Sequence, residues 1–82
     1  MGTNMPNITI YSTPSCPYCK MAKEYLAGKQ FTYADIDVAA DSAKADEMIK
    51  KSGQMGVPVI DIDGTIIVGF DKPKINAALG IT

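Results

Sequence analysis

The chain has 82 residues, of which 46% are apolar and 21% charged, with a formal net charge of −1, two cysteines and no histidine. That length holds a single domain, spanning residues 1–82, with one modest core, and that composition excludes wholesale disorder. The slightly acidic balance and the lack of a basic patch argue against nucleic acid or an anionic membrane as partners, and no apolar run approaches the roughly 20 residues of a spanning helix.

Residues 1–5 carry neither the basic nor the apolar stretch of a secretory signal. They read as a disordered or appended segment, with Met5 a candidate natural start. A chain without a signal and with one CxxC pair fits a reducing cytosol better than a disulfide-stapled secreted fold, so a cytoplasmic location is expected.

Ile8-Thr9-Ile10-Tyr11 is β-branched and aromatic and predicts a short buried strand. A loop follows through Ser15. Pro17 suits the first position of a helix, where its missing N–H has no intrahelical partner. Cys16 is then the N-cap and Cys19 lies near the third helical position. Ala22 and Leu26 share one face of this helix, Met21 and Tyr25 another. The helix is expected to run to about Ala27 and to stop at Gly28.

Phe31 to Val38 reads as a second strand, with Phe31, Tyr33 and Asp35 on one face. Asp41 or Ser42 caps a second helix with an inward stripe of Ala45, Met48 and Ile49. Lys50 and Lys51 complement its C-terminal dipole, and Gly53 ends it. After the Gln54-Met55-Gly56 loop, Val57 to Ile62 predicts a third strand. Asp63-Gly64 is a two-residue hairpin signal leading to a fourth strand at Thr65 to Val68. Gly69-Phe70 forms a bend. Asp71 caps a last helix, with Pro73 in its first turn and Ile75, Ala78 and Leu79 inward, ending at Gly80. The order β-α-β-α-β-β-α predicts an α/β fold: a mixed four-stranded sheet in the order 2-1-3-4, with its three helices distributed over both faces.

The chemistry concentrates in Cys16-Pro17-Tyr18-Cys19. A thiol attacks disulfides only as its thiolate. At a helix N-terminus, unpaired backbone N–H groups and the helix dipole both favour a negative sulfur, and Cys16 gains most from them. Cys19, one turn further in and partly covered, stays protonated until a mixed disulfide forms on Cys16, then attacks it and releases the reduced product. Lys20 and Lys23 could add positive potential or be merely solvated. Tyr18 either offers an aromatic surface to a bound thiol or fills space. Two competing readings are weaker. A zinc or iron–sulfur carrier needs about four soft ligands where one chain offers two. A purely structural bridge over so short a loop would constrain the unfolded chain little.

Thr13-Pro14-Ser15-Cys16-Pro17-Tyr18-Cys19, then Val57-Pro58, then Asp63-Gly64 followed by Ile67-Val68-Gly69-Phe70-Asp71 resemble the glutaredoxin family, of thioredoxin fold. These segments stand in the family's order and spacing and span the chain from Ile8 to Leu79. The resemblance implies a thiol–disulfide oxidoreductase with Cys16 as nucleophile and Cys19 as resolving thiol, the pair forming the redox-active disulfide. It implies a cis bond before Pro58, with the backbone of Val57 free to pair with an extended substrate. Substrate or glutathione contacts fall on Thr13, Pro17, Tyr18, Val57, Pro58, Gly69, Phe70 and Asp71. No tightly bound cofactor and no metal are implied, and glutathione is a possible co-substrate.

Several positions depart from the family pattern. Thr13 stands where a basic residue is usual, Gly56 replaces the threonine before Val-Pro, and Val68-Gly69 followed by Phe70 replaces a double glycine. Only Asp71 is left to meet the glutathione amino group. The Gln54 to Pro58 run and the Gly69-Phe70 bend look more like small glutaredoxin-like redoxins, some of which couple to thioredoxin reductase. Expected partners are therefore disulfide-containing proteins, with glutathione or thioredoxin reductase as electron donor, and a monomer is the default. Asp35, Asp37, Asp61 and Asp63 read as solvent-facing, Met48 as core, and Phe70 as either packing or an exposed contact for a protein partner.

Overall fold

A computed structural model describes residues 6–81. The N-terminal segment read as disordered or appended, residues 1–5, lies outside the described residues. The elements are β1 (Ile8–Ser12), α1 (Pro17–Gly28), β2 (Ala34–Asp37), α2 (Ser42–Ser52), β3 (Val59–Ile62), β4 (Thr65–Val68) and α3 (Lys72–Leu79). The sheet has the order β2-β1-β3-β4. β1 runs parallel to β2 and antiparallel to β3, and β3 is antiparallel to β4. This is the thioredoxin-like arrangement expected from the sequence.

Strand alternation sorts the apolar residues into two layers. On one face Ile8, Ile10, Ile60, Ile62 and Ile67 pack with Ala22 and Leu26 of α1 and Ile75 of α3. On the other face Tyr11 and Val59 pack with Met48 of α2. The two helical stripes thus cover opposite faces, and each buried Leu or Ile contributes roughly 1.5–3 kcal/mol by leaving water.

Three boundaries differ from the sequence reading, each for a local reason. Gly28 does not stop α1 but is its last residue. The chain turns two residues later, at Gln30, which takes the left-handed conformation with φ 65°. There the Gln30 N–H donates to the Ala27 carbonyl and the Phe31 N–H to the Leu26 carbonyl, the paired bonds of a Schellman termination. Phe31 packs against the cluster that contains Leu26, so burial of the aromatic ring sets where the helix ends. That bond also holds Phe31 out of the second strand, which begins at Ala34. The third strand begins at Val59 rather than Val57, because Pro58 has no N–H to give a ladder.

On the α2 face, the buried Tyr11 hydroxyl donates to Glu47 and accepts from Lys51 Nζ at 3.0 Å; Lys51 also pairs with Asp61 Oδ2 at 2.9 Å. Asp61 is therefore not a free solvent-facing carboxylate as its alternation suggested. It anchors α2 to the sheet through Lys51. Burial, followed by the bond to Glu47, pushes the Tyr11 hydroxyl above its usual range against the pull of Lys51.

Candidate active site

The loop after β1 delivers Cys16 to the N-cap of α1. Its backbone is extended, at φ −88° and ψ 113°, and Pro17 fills the first helical position. The Cys16 N–H donates to the Thr13 carbonyl at 3.3 Å and its carbonyl accepts from Lys20 N at 3.2 Å. These bonds orient the side chain so that Cys16 Sγ accepts the Cys19 N–H at 3.2 Å. A sulfur in the place of a capping oxygen meets one of the orphan donors of the first turn, and negative charge on it is favoured by the dipole behind it.

Cys19 sits on the buried stripe of the same helix with Ala22 and Leu26. It is 1% exposed, whereas Cys16 is half-buried, and neither is bridged. Burial, and then the hydrogen bond with Cys16, push the Cys19 thiol up to about 11. Two thiols one turn apart are thus unequal: one rests on a donor at the rim, the other is kept protonated beneath it.

The second loop of the site comes from between α2 and β3. The Val57–Pro58 peptide bond is cis. The Val57 carbonyl lies 3.9 Å from Cys16 Sγ, within reach of the thiol as donor. The Pro58 carbonyl accepts the Gly69 N–H at 2.8 Å, and Gly69, at φ 82°, turns in a conformation that side chains rarely adopt. Thr13, Cys16, Val57, Pro58 and Gly69 are therefore linked in one constellation, flanked by Tyr18, which is 60% exposed, and by Met55, which is 78% exposed.

Phe70 and Asp71 follow Gly69 and make contacts of their own. Phe70 is half-buried, edge-on to Tyr25 with ring centroids 5.8 Å apart, and Lys72 stands over both rings. Its ring faces a shallow groove of about 330 Å³ shared with Met21, Glu24 and Tyr25. The ring thus packs on Tyr25 with one side and borders the open groove with the other. The Asp71 carboxylate accepts from Lys74 N at 3.3 Å as the cap of α3.

One cluster beneath the site was not anticipated. Ser12, buried at the end of β1, donates to Asp35 Oδ1 at 2.8 Å. Lys23 Nζ lies 2.8 Å from Asp35 Oδ2. Asp35 is exposed, as its alternation suggested, and these bonds add partners that the sequence did not show. Partial burial raises its carboxyl, but the bonds from Lys23 and Ser12 outweigh that and hold it below the usual range. Asp35 in turn holds the Lys23 ammonium above its usual range. The position of Lys23 four residues after Cys19 was a readable signal, but its partner arrives from another strand.

The Glutaredoxin family model matches residues 8–67. A glutaredoxin-like 8.6 kDa protein encoded in a rubredoxin operon of Clostridium pasteurianum, itself uncharacterised, is 55% identical over 69 residues, covering 84% of this chain and 92% of that one. The chain belongs to the glutaredoxin family. Glutaredoxin 3 of Escherichia coli is 42% identical over 67 residues, covering 82% of this chain and 81% of its own length. Among solved structures, the glutaredoxin-like NrdH-redoxin of Escherichia coli, described by its thioredoxin-like activity profile, superposes with a TM-score of 0.75 at 27% identity, covering 87% of this chain and 92% of that one. As a glutaredoxin-family member the chain is a thiol–disulfide oxidoreductase. No helix among the described residues is long and apolar enough to cross a membrane, and no group of three or more candidate ligands among them could hold a metal ion.

Proposed function

We propose that this glutaredoxin reduces protein disulfides, and accessible glutathione mixed disulfides, by a dithiol cycle. The Cys16 thiolate attacks one sulfur of the substrate; a bond forms to Cys16 Sγ and the other substrate sulfur leaves as a thiolate. Cys19 then displaces the captured sulfur, closing the Cys16–Cys19 disulfide and releasing the reduced substrate. The observation that carries this reading is the contrast between the two sulfurs: Cys16 receives an amide N–H at the rim, and Cys19 is sealed below with its proton retained. The Val57 backbone and the exposed Tyr18 ring are the docking edge for an extended substrate, an arrangement that uses main-chain pairing for affinity.

The electron donor in this proposal is thioredoxin reductase rather than glutathione. Thr13 supplies no cation for a glutathione carboxylate, the Asp71 carboxylate already caps α3, and Phe70 is seated on Tyr25. The likeness to a redoxin with a thioredoxin-like profile points the same way. The same reading takes the chain as one domain, monomeric, working in a reducing compartment such as the cytoplasm.

Two assays test this. Reduction of insulin is expected to vanish in Cys16→Ser, while Cys19→Ser accumulates a mixed disulfide detectable by mass. Full turnover by Cys16→Ser would refute the assignment of roles. The oxidised protein is then offered either thioredoxin reductase with NADPH or glutathione with its reductase. Faster reduction by the glutathione arm would overturn the donor assignment while leaving the dithiol cycle intact.

A further inference from the structure

The resolving step requires a buried thiol to give up its proton, and the cost of forming an anion there is set by the charges nearby. On α1, Lys23 is four residues after Cys19, so the two side chains are stacked neighbours on the helix surface, with Cβ atoms roughly 6 Å apart. The Lys23 ammonium is drawn down into the fold, at 24% side-chain exposure, by its 2.8 Å pairing with Asp35. Asp35 has both carboxylate oxygens occupied, one by Lys23 and one by the Ser12 hydroxyl. Ser12 immediately precedes Thr13, whose carbonyl holds the Cys16 N–H. The ion pair is therefore fastened to the strand end that carries the thiol loop. An ammonium has three donors, and the single bond to Asp35 leaves others for a sulfur anion.

We infer that Lys23 and Asp35 are opposed positioning residues for the resolving step, Lys23 stabilising the Cys19 thiolate as it forms and Asp35 limiting how much of that charge reaches the sulfur. This rests on the dithiol cycle proposed above. In the mixed disulfide, Cys19 Sγ–H loses its proton and the sulfur's electron pair forms a bond to Cys16 Sγ. The bond from Cys16 Sγ to the partner sulfur breaks, and that sulfur leaves with the electron pair and takes up one proton. The products are an intramolecular disulfide and a free partner thiol, with no external oxidant or reductant. The titratable groups around the spot, among the described residues, are Cys16 at the cap, Cys19 and Lys23 on α1, and Tyr33 and Asp35 from the neighbouring chain segment.

The two partners should act with opposite sign, which a structural ion pair would not do. The reduced protein is mixed with an aromatic disulfide whose thiolate product is coloured. The first release of colour reports attack by Cys16 and the second reports displacement by Cys19. The ratio of second to first rate separates resolution from any general loss of folded protein. Lys23→Met is expected to lower that ratio about three- to tenfold, the range for a partly screened charge near a developing anion, and to move its pH profile upward. Lys23→Arg should recover most of the loss. Asp35→Asn is expected to raise the ratio several-fold and move the profile downward. Shifts of the same sign in Lys23→Met and Asp35→Asn, or no shift in either, overturn the inference and leave the dithiol cycle standing. A wild-type chain that shows no second release overturns both.

Discussion

Raising the pH on the fully reduced protein probes the buried thiol directly. In the unfolded chain Cys19 ionises around its ordinary value of 9.0, whereas in the fold burial and the bond with Cys16 push it up to about 11. A group with a raised folded value contributes stability that is fully present below the unfolded value and is lost as pH rises through the folded one. Between those limits the unfolded chain releases a proton that the native state retains, so stability falls by about 1 kcal/mol per pH unit. Other groups titrate in the same window, because Lys23 and Lys51 are also held above their usual range. Cys19→Ala carries those groups without the thiol and isolates its contribution. The difference in unfolding free energy, wild type minus Cys19→Ala, should therefore drop by about 1 kcal/mol between pH 8 and pH 10. With a urea m-value of about 1 kcal/mol/M for a domain of this size, that is a relative midpoint shift of about 1 M. Urea titrations followed by far-ultraviolet circular dichroism, under a non-thiol reductant, measure it. Parallel midpoints at the two pH values would refute the claim that the fold holds Cys19 protonated.

Leu26→Ala should destabilise the protein by roughly 3 kcal/mol, since Leu26 is wholly buried between α1 and the sheet and leaves a cavity; a thermal melt checks it. Gln30→Gly should stabilise it by up to about 1 kcal/mol, because Gln30 holds a left-handed φ of 65° that costs an L side chain and not glycine. A lower melting temperature for Gln30→Gly would show that contacts of the Gln30 side chain outweigh the backbone term.

What the sequence made legible was local. The β-branched run at Ile8 to Tyr11, the proline after Cys16, the Asp63-Gly64 turn and the stripe of Ala22 and Leu26 each depend on neighbours within one turn or one hairpin, and each element formed where those neighbours placed it. What escaped was set by partners distant in the chain. Asp35 alternates along a strand like a solvated residue, and only the parallel pairing of β2 with β1 brings it to Ser12 and Lys23. Asp61 likewise meets Lys51 only once α2 lies across the sheet. Gly28 looked like a stop because glycine tolerates the turn, but the gain from burying Phe31 against Leu26 moved the turn to Gln30.

The site's logic follows from one turn of helix crossing the boundary between solvent and core. At the cap, Cys16 takes an N–H from the helix itself, so negative charge there is met without any side-chain cation. Three residues later the helix has turned its side chains into the fold, and Cys19 is buried where a charge is penalised. The same dihedral pattern that makes a helix thus sets one sulfur at the cap and the other in the interior. In the proposed dithiol cycle such burial alone would stall turnover after capture, because a thiol held near 11 yields little thiolate at neutral pH. In the role inferred for Lys23, a cation one turn further along, tethered by a carboxylate rather than buried outright, offsets part of that penalty as the anion forms.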